Sequence, residues 1–390
     1  MRLALFTDTY EPEVNGVART LGRWVDYLRR KGVPVQVFAP DPALGLPHGA
    51  AASVERFASL PFFLYPECRL ALVNPVHIRR ALHAFSPTLI HVATPFNLGL
   101  CGIHYARKYE IPLIASYHTH FDRYLPFYNL QWMVKMLWRY MNWFHYDCSR
   151  IFVPSASTKS DLLQRGWEEE RLSIWPRGMD TKRFHPAVDR KGHLESHGID
   201  SSNFIVLYVG RLAPEKNVDV ALAAFAKFQR TACPEARLVV AGDGPSAISL
   251  KEQAEQHDIP VHFLGFTAGE ELQKWYAASD IFLFPSPTET FGNVVLEAMA
   301  CGTPVVTANR GGVTDTVEHG LTGFLCEQGD ADAFCDALTE LYENPLMRYR
   351  MASLALAYSR KQSWDDIFDR LLAECQLAAC EGRSRIRHTK

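Results

Sequence analysis

Two successive series of short, unbroken apolar segments constrain this 390-residue chain more than any other feature. In the first series, stretches rich in Val, Ile and Leu fall at 3–7, 33–39, 89–93, 112–116 and 151–154, and most are separated by segments of helical period. A strand that is apolar at every position must have both faces covered, so the pattern predicts a parallel sheet flanked by helices. The series then restarts at 204–209, 237–241, 261–264, 281–284 and 305–307, with helical patterns over 218–229 and 270–278. No short period repeats, which excludes a solenoid. The predicted fold class is α/β, with two Rossmann-like, doubly wound domains facing a central cleft and ligands at the carboxyl ends of the strands. The charged, turn-rich stretch 177–186 reads as the linker. The expected domains are 1–180 and 181–362, followed by 363–390, in which a C-terminal helix returns to the first domain and ends in a basic, frayed tail over 383–390.

Charge separates the halves further. The net formal charge is only −2, which argues against a general nucleic-acid binder, yet residues 1–186 carry +7 and residues 187–390 carry −9. No stretch approaches 18 apolar residues, and the start, MRLALFTD, reads as a buried strand rather than a signal peptide. The nine cysteines, Cys68 among them, are scattered and form no Cys-x-x-Cys pair, as expected of reduced thiols in a cytosol. No His/Cys/Asp cluster, His145 with Cys148 included, has the spacing of a metal site, so neither metal nor cofactor is expected.

The densest chemical signal is 285–306, PSPTETFGNVVLEAMACGTPVV. An apolar strand ends at Phe284, and Thr290, Phe291, Gly292 and Asn293 lead into a segment of helical period that Gly302-Thr303-Pro304 stops. Free N–H groups and the helix dipole at such a start suit a phosphate. Glu289 lies in the loop and Glu297 about one turn into the helix; carboxylates accept hydrogen bonds from sugar hydroxyls well. Amides for phosphate beside acceptors for hydroxyls describe a nucleotide-sugar site. Arg211 and Lys216 follow the first strand of the second series, where two cations suit a diphosphate. In the first series, Asn15 and Gly16 join strand to helix, and Gly16 would let a ligand approach the backbone closely.

The stretch 285–306 resembles the retaining glycosyltransferases of family four, of GT-B fold, whose signature P-S-x-x-E-x-x-G-x-x-x-x-E-A-M-A-x-G-x-P-V-V it matches closely. The resemblance covers nearly the whole chain and is strongest over 204–325. It implies that Arg211 and Lys216 neutralise the leaving diphosphate in place of a metal, that the loop at Gly16 closes over the donor phosphates, and that His118 stands beside the donor sugar. It implies further that Glu289 positions the sugar hydroxyls and Glu297 the ribose, in a front-face transfer that retains configuration. Tyr117, His120, Asp122 and Arg123 would lie on the acceptor side. Gly244 falls in Gly242-Asp243-Gly244-Pro245, which has the spacing of a dinucleotide site but is followed by no ribose-binding acid; in the family it is a turn near the nucleotide. Asp330-Ala331-Asp332 reads as a helix cap rather than a metal motif.

Residues 121–146 hold ten aromatics, with Lys135 and Arg139 among them. Such a segment either lies in a membrane interface or packs in the core. Arg19, Arg23, Arg29, Arg30 and Lys31 add a basic face that would favour anionic lipid. The expected activity is transfer of a hexose, mannose from GDP-mannose or glucose from UDP-glucose, to a lipid or glycan hydroxyl. The alternative is a nucleotide-sugar epimerase or sugar phosphorylase on the same two-domain plan. The partners are a nucleotide diphosphate sugar, a lipid or glycan acceptor and an anionic membrane surface, with no nucleic acid. The expected location is the cytoplasm, on the inner face of the cell membrane where peripheral.

Overall fold

The computed structural model describes residues 1–13, 15–42, 53–61 and 69–388, the last seven by backbone alone. Val14, Cys68 and 389–390 lie outside the described residues. The chain forms two units, one of residues 1–125, 130–176 and 365–390, the other of 126–129 and 177–364.

The strands of the first unit are β1 (Leu3–Phe6), β2 (Val35–Pro40), β3 (Val54–Phe57), an antiparallel pair β4 (Ser59–Pro61) and β5 (Arg69–Ala71), then β6 (Leu89–Val92), β7 (Leu113–Ser116), β8 (Arg150–Val153) and β9 (Leu172–Ile174). Seven of them make one sheet in the order β3-β2-β1-β6-β7-β8-β9, every pair parallel. All four residues of β1 are buried, as the apolar run requires. The second unit repeats the plan with β10 (Ile205–Val209), β11 (Arg237–Ala241), β12 (Val261–Gly265), β13 (Ile281–Phe284), β14 (Val305–Ala308) and β15 (Gly323–Cys326), in the order β12-β11-β10-β13-β14-β15. In both sheets the first strand is central and the winding reverses beside it. Loops leave the neighbouring strand ends in opposite directions there and open a crevice. Sequence period did not mark β3, β9 or β15. Each is an edge strand of three or four residues, too short to form a recognisable apolar run.

The C-terminal helix Trp364–His388 belongs to the first unit from Asp365 onward. Ile367, Phe368, Leu371, Cys375 and Ala378 recur at helical spacing and are all buried. Phe368 meets the rings of Trp24, Tyr27 and Trp175 with centroids 5.3 to 6.4 Å apart. Ion pairs rim this contact: Arg30 with Asp365 at 2.6 Å and Lys31 with Asp369 at 2.8 Å. Arg29 pairs with Asp26. The basic face expected to meet lipid is therefore largely neutralised by the protein's own carboxylates at these three positions. The basic end expected to fray continues this helix to His388. The stretch 177–186, read as the linker, is partly buried. Arg177, Met179 and Phe184 are buried, and the Met179 N–H donates to the Gln362 carbonyl.

Polar groups fix the centre of the first unit. Asp8, buried at the end of β1, accepts from Thr94 Oγ1 at 2.7 Å and from the Leu98 N–H at 2.9 Å. It thereby caps the helix Asn97–Lys108, which has no side-chain cap of its own. Burial raises the Asp8 pKa to about 6. Burial also lowers His91 and His120 to about 3 and His145 to about 4. Each histidine therefore folds neutral, and the unfolded chain takes up its proton below pH 6.5. That term is fully stabilising above pH 6.5 and weakens by about 1.4 kcal/mol per histidine for each pH unit below it. Asp8 acts in the opposite sense between pH 3.8 and 6, but three histidines outweigh it. The melting temperature should fall steadily from pH 7.5 to 5.5; a flat profile in differential scanning calorimetry would contradict these buried neutral rings.

Candidate functional site

In the second unit, β10 and β13 are neighbours at the reversal of winding. Gly210 and Arg211 leave the end of β10 and lead into the turn Pro214–Lys216, while 285–292 leaves β13 and leads into the helix Asn293–Ala300. The two excursions meet. Lys216 Nζ lies 2.5 Å from Glu289 Oε1, with only 13% and 18% of the two side chains exposed. Ser286 Oγ donates to the same carboxylate oxygen at 3.2 Å, and the Gly312 N–H donates to the Glu289 carbonyl at 2.8 Å. The carboxylate thus points at the cation in a rigid loop.

Arg211 is held from several sides. Its Nη1 lies 3.9 Å from the buried carboxylate of Glu215, and its carbonyl accepts from Tyr208 Oη at 3.2 Å. The Thr288 hydroxyl donates to the Glu215 carbonyl at 3.2 Å, tying the two loops together. Glu215 was not singled out from the sequence. Its neighbours Arg211 and Lys216 were the only signal, since a buried carboxylate between cations has no pattern of its own. The Gly242-Asp243-Gly244 turn packs directly behind. A Cβ on Gly242 would stand 1.8 Å from the Gly210 carbonyl oxygen, and the Leu212 N–H donates to the Asp243 carbonyl at 3.0 Å. A Cβ on Gly244 would stand 2.3 Å from the Leu212 carbonyl oxygen, so this turn supports the backbone that carries Arg211.

Gly292 precedes the helix Asn293–Ala300 with φ of 85°, a conformation that L side chains rarely adopt, and no side chain caps the helix start. Thr290 and Asn293 are half-buried beside it and Phe291 is buried. Glu297, one turn in, accepts from Tyr276 Oη at 3.1 Å. The arrangement offers two cations, helix amides and carboxylates at one strand reversal. An anion with attached hydroxyls fits it.

In the first unit, a cavity opens at the ends of β1, β6 and β7, lined by Thr9, Asn15, Thr94, Ser116, Tyr117 and His118 among others. Asn15 caps the helix Gly16–Arg30 through Ala18 N–H and donates to Thr9 Oγ1 at 2.7 Å, which places Gly16 at the first helical position. His118 is buried, its ring 5.4 Å from that of Trp175. Tyr117 also reaches inward to His120 Nδ1 at 3.2 Å. His120, Asp122 and Arg123, expected on the acceptor side, take part in an internal network. His120 lies 3.3 Å from Thr158 Oγ1, Asp122 accepts from Trp138 Nε1 and Arg165 at 3.2 Å each, and Arg123 pairs with Asp161. Burial raises the Asp122 pKa, and Arg165 and Arg123 oppose that shift.

The aromatic segment is partly in the core and partly exposed. It is not one helix: Phe121–Tyr124 and two short turns precede the helix Val134–His145. Met141, Phe144 and His145 are buried, whereas Trp132, Met136 and Trp143 are 71%, 55% and 48% exposed, with Lys135 and Arg139 exposed among them. Among the described residues no helix is long and apolar enough to cross a membrane. Among the described residues, Cys101, Cys148, Cys233, Cys301, Cys326, Cys335 and Cys375 are free thiols. His145 Nδ1 donates to the Met141 carbonyl oxygen at 2.8 Å. One group absent from the sequence reading does have metal-like geometry: His193, His197 and Glu271.

Two family models cover the chain in succession: Glycosyltransferase Family 4 over residues 14–183 and Glycosyl transferases group 1 over 189–356. A GDP-mannose-dependent alpha-mannosyltransferase of Mycobacterium tuberculosis is 32% identical over 98% of this chain and 98% of its own length. An alpha-monoglucosyldiacylglycerol synthase of Streptococcus pneumoniae is 31% identical over 87% of this chain and 78% of its own. The solved structure of HepE from Anabaena in complex with UDP superposes with a TM-score of 0.77 at 22% identity, covering 97% of this chain and all of that one. The chain belongs to the family four glycosyltransferases, with the two Rossmann-like halves of the GT-B fold. It is a hexosyltransferase that takes its sugar from a nucleotide sugar.

The backbone at Gly292 should tolerate no side chain. A Cβ there would meet Val313 Cγ1 at 2.5 Å, on top of the positive φ. Gly292→Ala should destabilise the protein by about 1–3 kcal/mol. An unaltered thermal unfolding profile would show that this backbone carries no such constraint.

Proposed function

We propose that the chain transfers mannose from GDP-mannose, with retention of configuration, to a lipid or glycan hydroxyl. The observation that carries this reading is the Lys216–Glu289 pair at the strand reversal, beside an uncapped helix start. The full-length match to a GDP-mannose-dependent enzyme supports the donor. UDP-glucose is the second donor to test, because the structural neighbour was solved with UDP.

On this reading the resting ion pair is a placeholder. The donor diphosphate takes Lys216 and Arg211 as counter-charges, which frees the Glu289 carboxylate to accept from sugar hydroxyls. Amides at Gly292 and Asn293 share the phosphate charge, and so does the loop at Asn15 and Gly16. Glu297 serves the ribose, Thr290 and Phe291 shape the sugar pocket, and His118 serves the reaction centre. The leaving phosphate takes the acceptor proton as the new glycosidic bond forms on the same face. Fixed positive charge acts on the departing diphosphate, where most of the barrier lowering is needed. Tyr117 remains the acceptor-side residue that lines the first-unit cavity.

Glu289→Gln keeps size and removes charge. It should leave the fold intact and lower turnover at least tenfold, about 1.4 kcal/mol in barrier. The assay is release of nucleoside diphosphate that requires acceptor; unchanged kinetics would remove Glu289 from this role. Release of an altered nucleotide sugar or of sugar 1-phosphate would favour the epimerase or phosphorylase reading instead.

The acceptor side is proposed to work at the inner face of an anionic membrane. Exposed Trp132, Met136 and Trp143, interleaved with Lys135 and Arg139, give an apolar ridge with a basic margin. The name of the diacylglycerol-glucosylating relative supports a lipid acceptor. In co-sedimentation, anionic vesicles should retain the wild type, and Trp132→Ser with Met136→Ser should lower retention at least fivefold. Equal retention of both proteins, or no binding by either, would dismiss this surface.

A further inference from the structure

We propose that His193, His197 and Glu271 form a binding site for one divalent transition cation, of the zinc class, on the outside of the second unit. His193 lies in the helix Arg190–Ser196, and His197 follows four residues later, at its end. Residues four apart share a helix face, so both rings lean the same way. They pack edge-on against one Trp275 ring, at 4.5 and 4.8 Å between centroids. Trp275 belongs to the helix Gly269–Ala278, and Glu271, one turn earlier on that helix, completes the group. Its Oε1 is 3.3 Å from His197 Nε2 and 4.0 Å from His193 Nε2, and one ligand atom from each residue lies within 4.8 Å of the others.

Hydrogen bonding selects the state of the His197 ring that binds metal. His197 Nδ1 lies 2.8 Å from the His193 carbonyl oxygen, an acceptor only, so Nδ1 carries the proton and Nε2 keeps its lone pair. A ligating histidine is commonly oriented through its other nitrogen in this way. His193 Nε2 is buried without a hydrogen-bond partner, and it points toward the same carboxylate. A simple His197–Glu271 ion pair would leave that nitrogen unsatisfied, at a desolvation cost. A cation at roughly 2.0–2.2 Å from each donor would satisfy all three, and the two-histidine, one-carboxylate set suits zinc, nickel or cobalt rather than calcium or magnesium.

None of the three residues lines the first-unit cavity or joins the network around Glu289. The cation would therefore brace the helix Arg190–Ser196 against the helix Gly269–Ala278 and leave transfer chemistry to the groups already described. A fourth position would remain for water, since His197 is partly exposed.

The test uses the full chain without an affinity tag, stripped with chelator and titrated with Co²⁺ and Zn²⁺. The expected result is one equivalent bound at micromolar or tighter dissociation constant, ligand-field bands from Co²⁺, and a melting temperature raised by several degrees. His197→Ala and Glu271→Gln, both at partly exposed positions, should fold and weaken binding at least tenfold. Their hexosyl transfer in chelator should match that of the wild type. No binding below 100 μM, or binding that both variants retain, overturns the site.

Discussion

A parallel sheet whose winding reverses beside its first strand leaves a gap that its own loops cannot close. Both units are organised around that gap. In the second, it brings Arg211 and Lys216 from the end of β10 to the loop after β13 that carries Glu289, across 73 residues of sequence in the case of the Lys216–Glu289 bond. In the first, it places Thr9, Thr94 and His118 around one cavity. Fold and chemistry are therefore not separable here: the strand order that buries the core also decides which residues can share a ligand.

Charge is handled locally. The second half of the chain carries a net −9, yet its site presents two fixed cations, each matched to a carboxylate: Lys216 to Glu289 and Arg211 to Glu215. Two cations close together in a half-buried crevice would repel each other without such counter-charges. The carboxylates hold the cations in place. The first half shows the same economy on its surface, where Arg30 and Lys31 are matched by Asp365 and Asp369.

Most of the architecture was legible because buried strands must be apolar at every position, a pattern that survives in the one-dimensional chain. Of the four edge strands of the two large sheets, β3, β9 and β15 escaped because a length of three or four residues erases it, whereas the five-residue β12 was legible. The cluster at 285–306 was legible because loop, helix start and both glutamates are contiguous. Glu215 was not, because its role depends on contacts to Arg211 and Thr288 rather than on spacing. The contacts of His120, Asp122 and Arg123 were likewise illegible: they follow a strand end, where functional residues gather, and their partners Thr158, Asp161 and Arg165 come from a later segment of the chain. The group at His193 was not read from the sequence, because its third member, Glu271, comes from a helix more than 70 residues on.

The first unit is assembled from residues 1–125 and 130–176 and a final piece, 365–390, with nearly all of the second unit encoded in between. Trp24, Tyr27 and Trp175 find their cover, Phe368, only in that last piece. During synthesis the second unit can close on itself while the first still exposes an aromatic patch. The part of the chain made first is therefore the part finished last, and loss of residues 365–390 would spare the second unit while leaving the first with an open core.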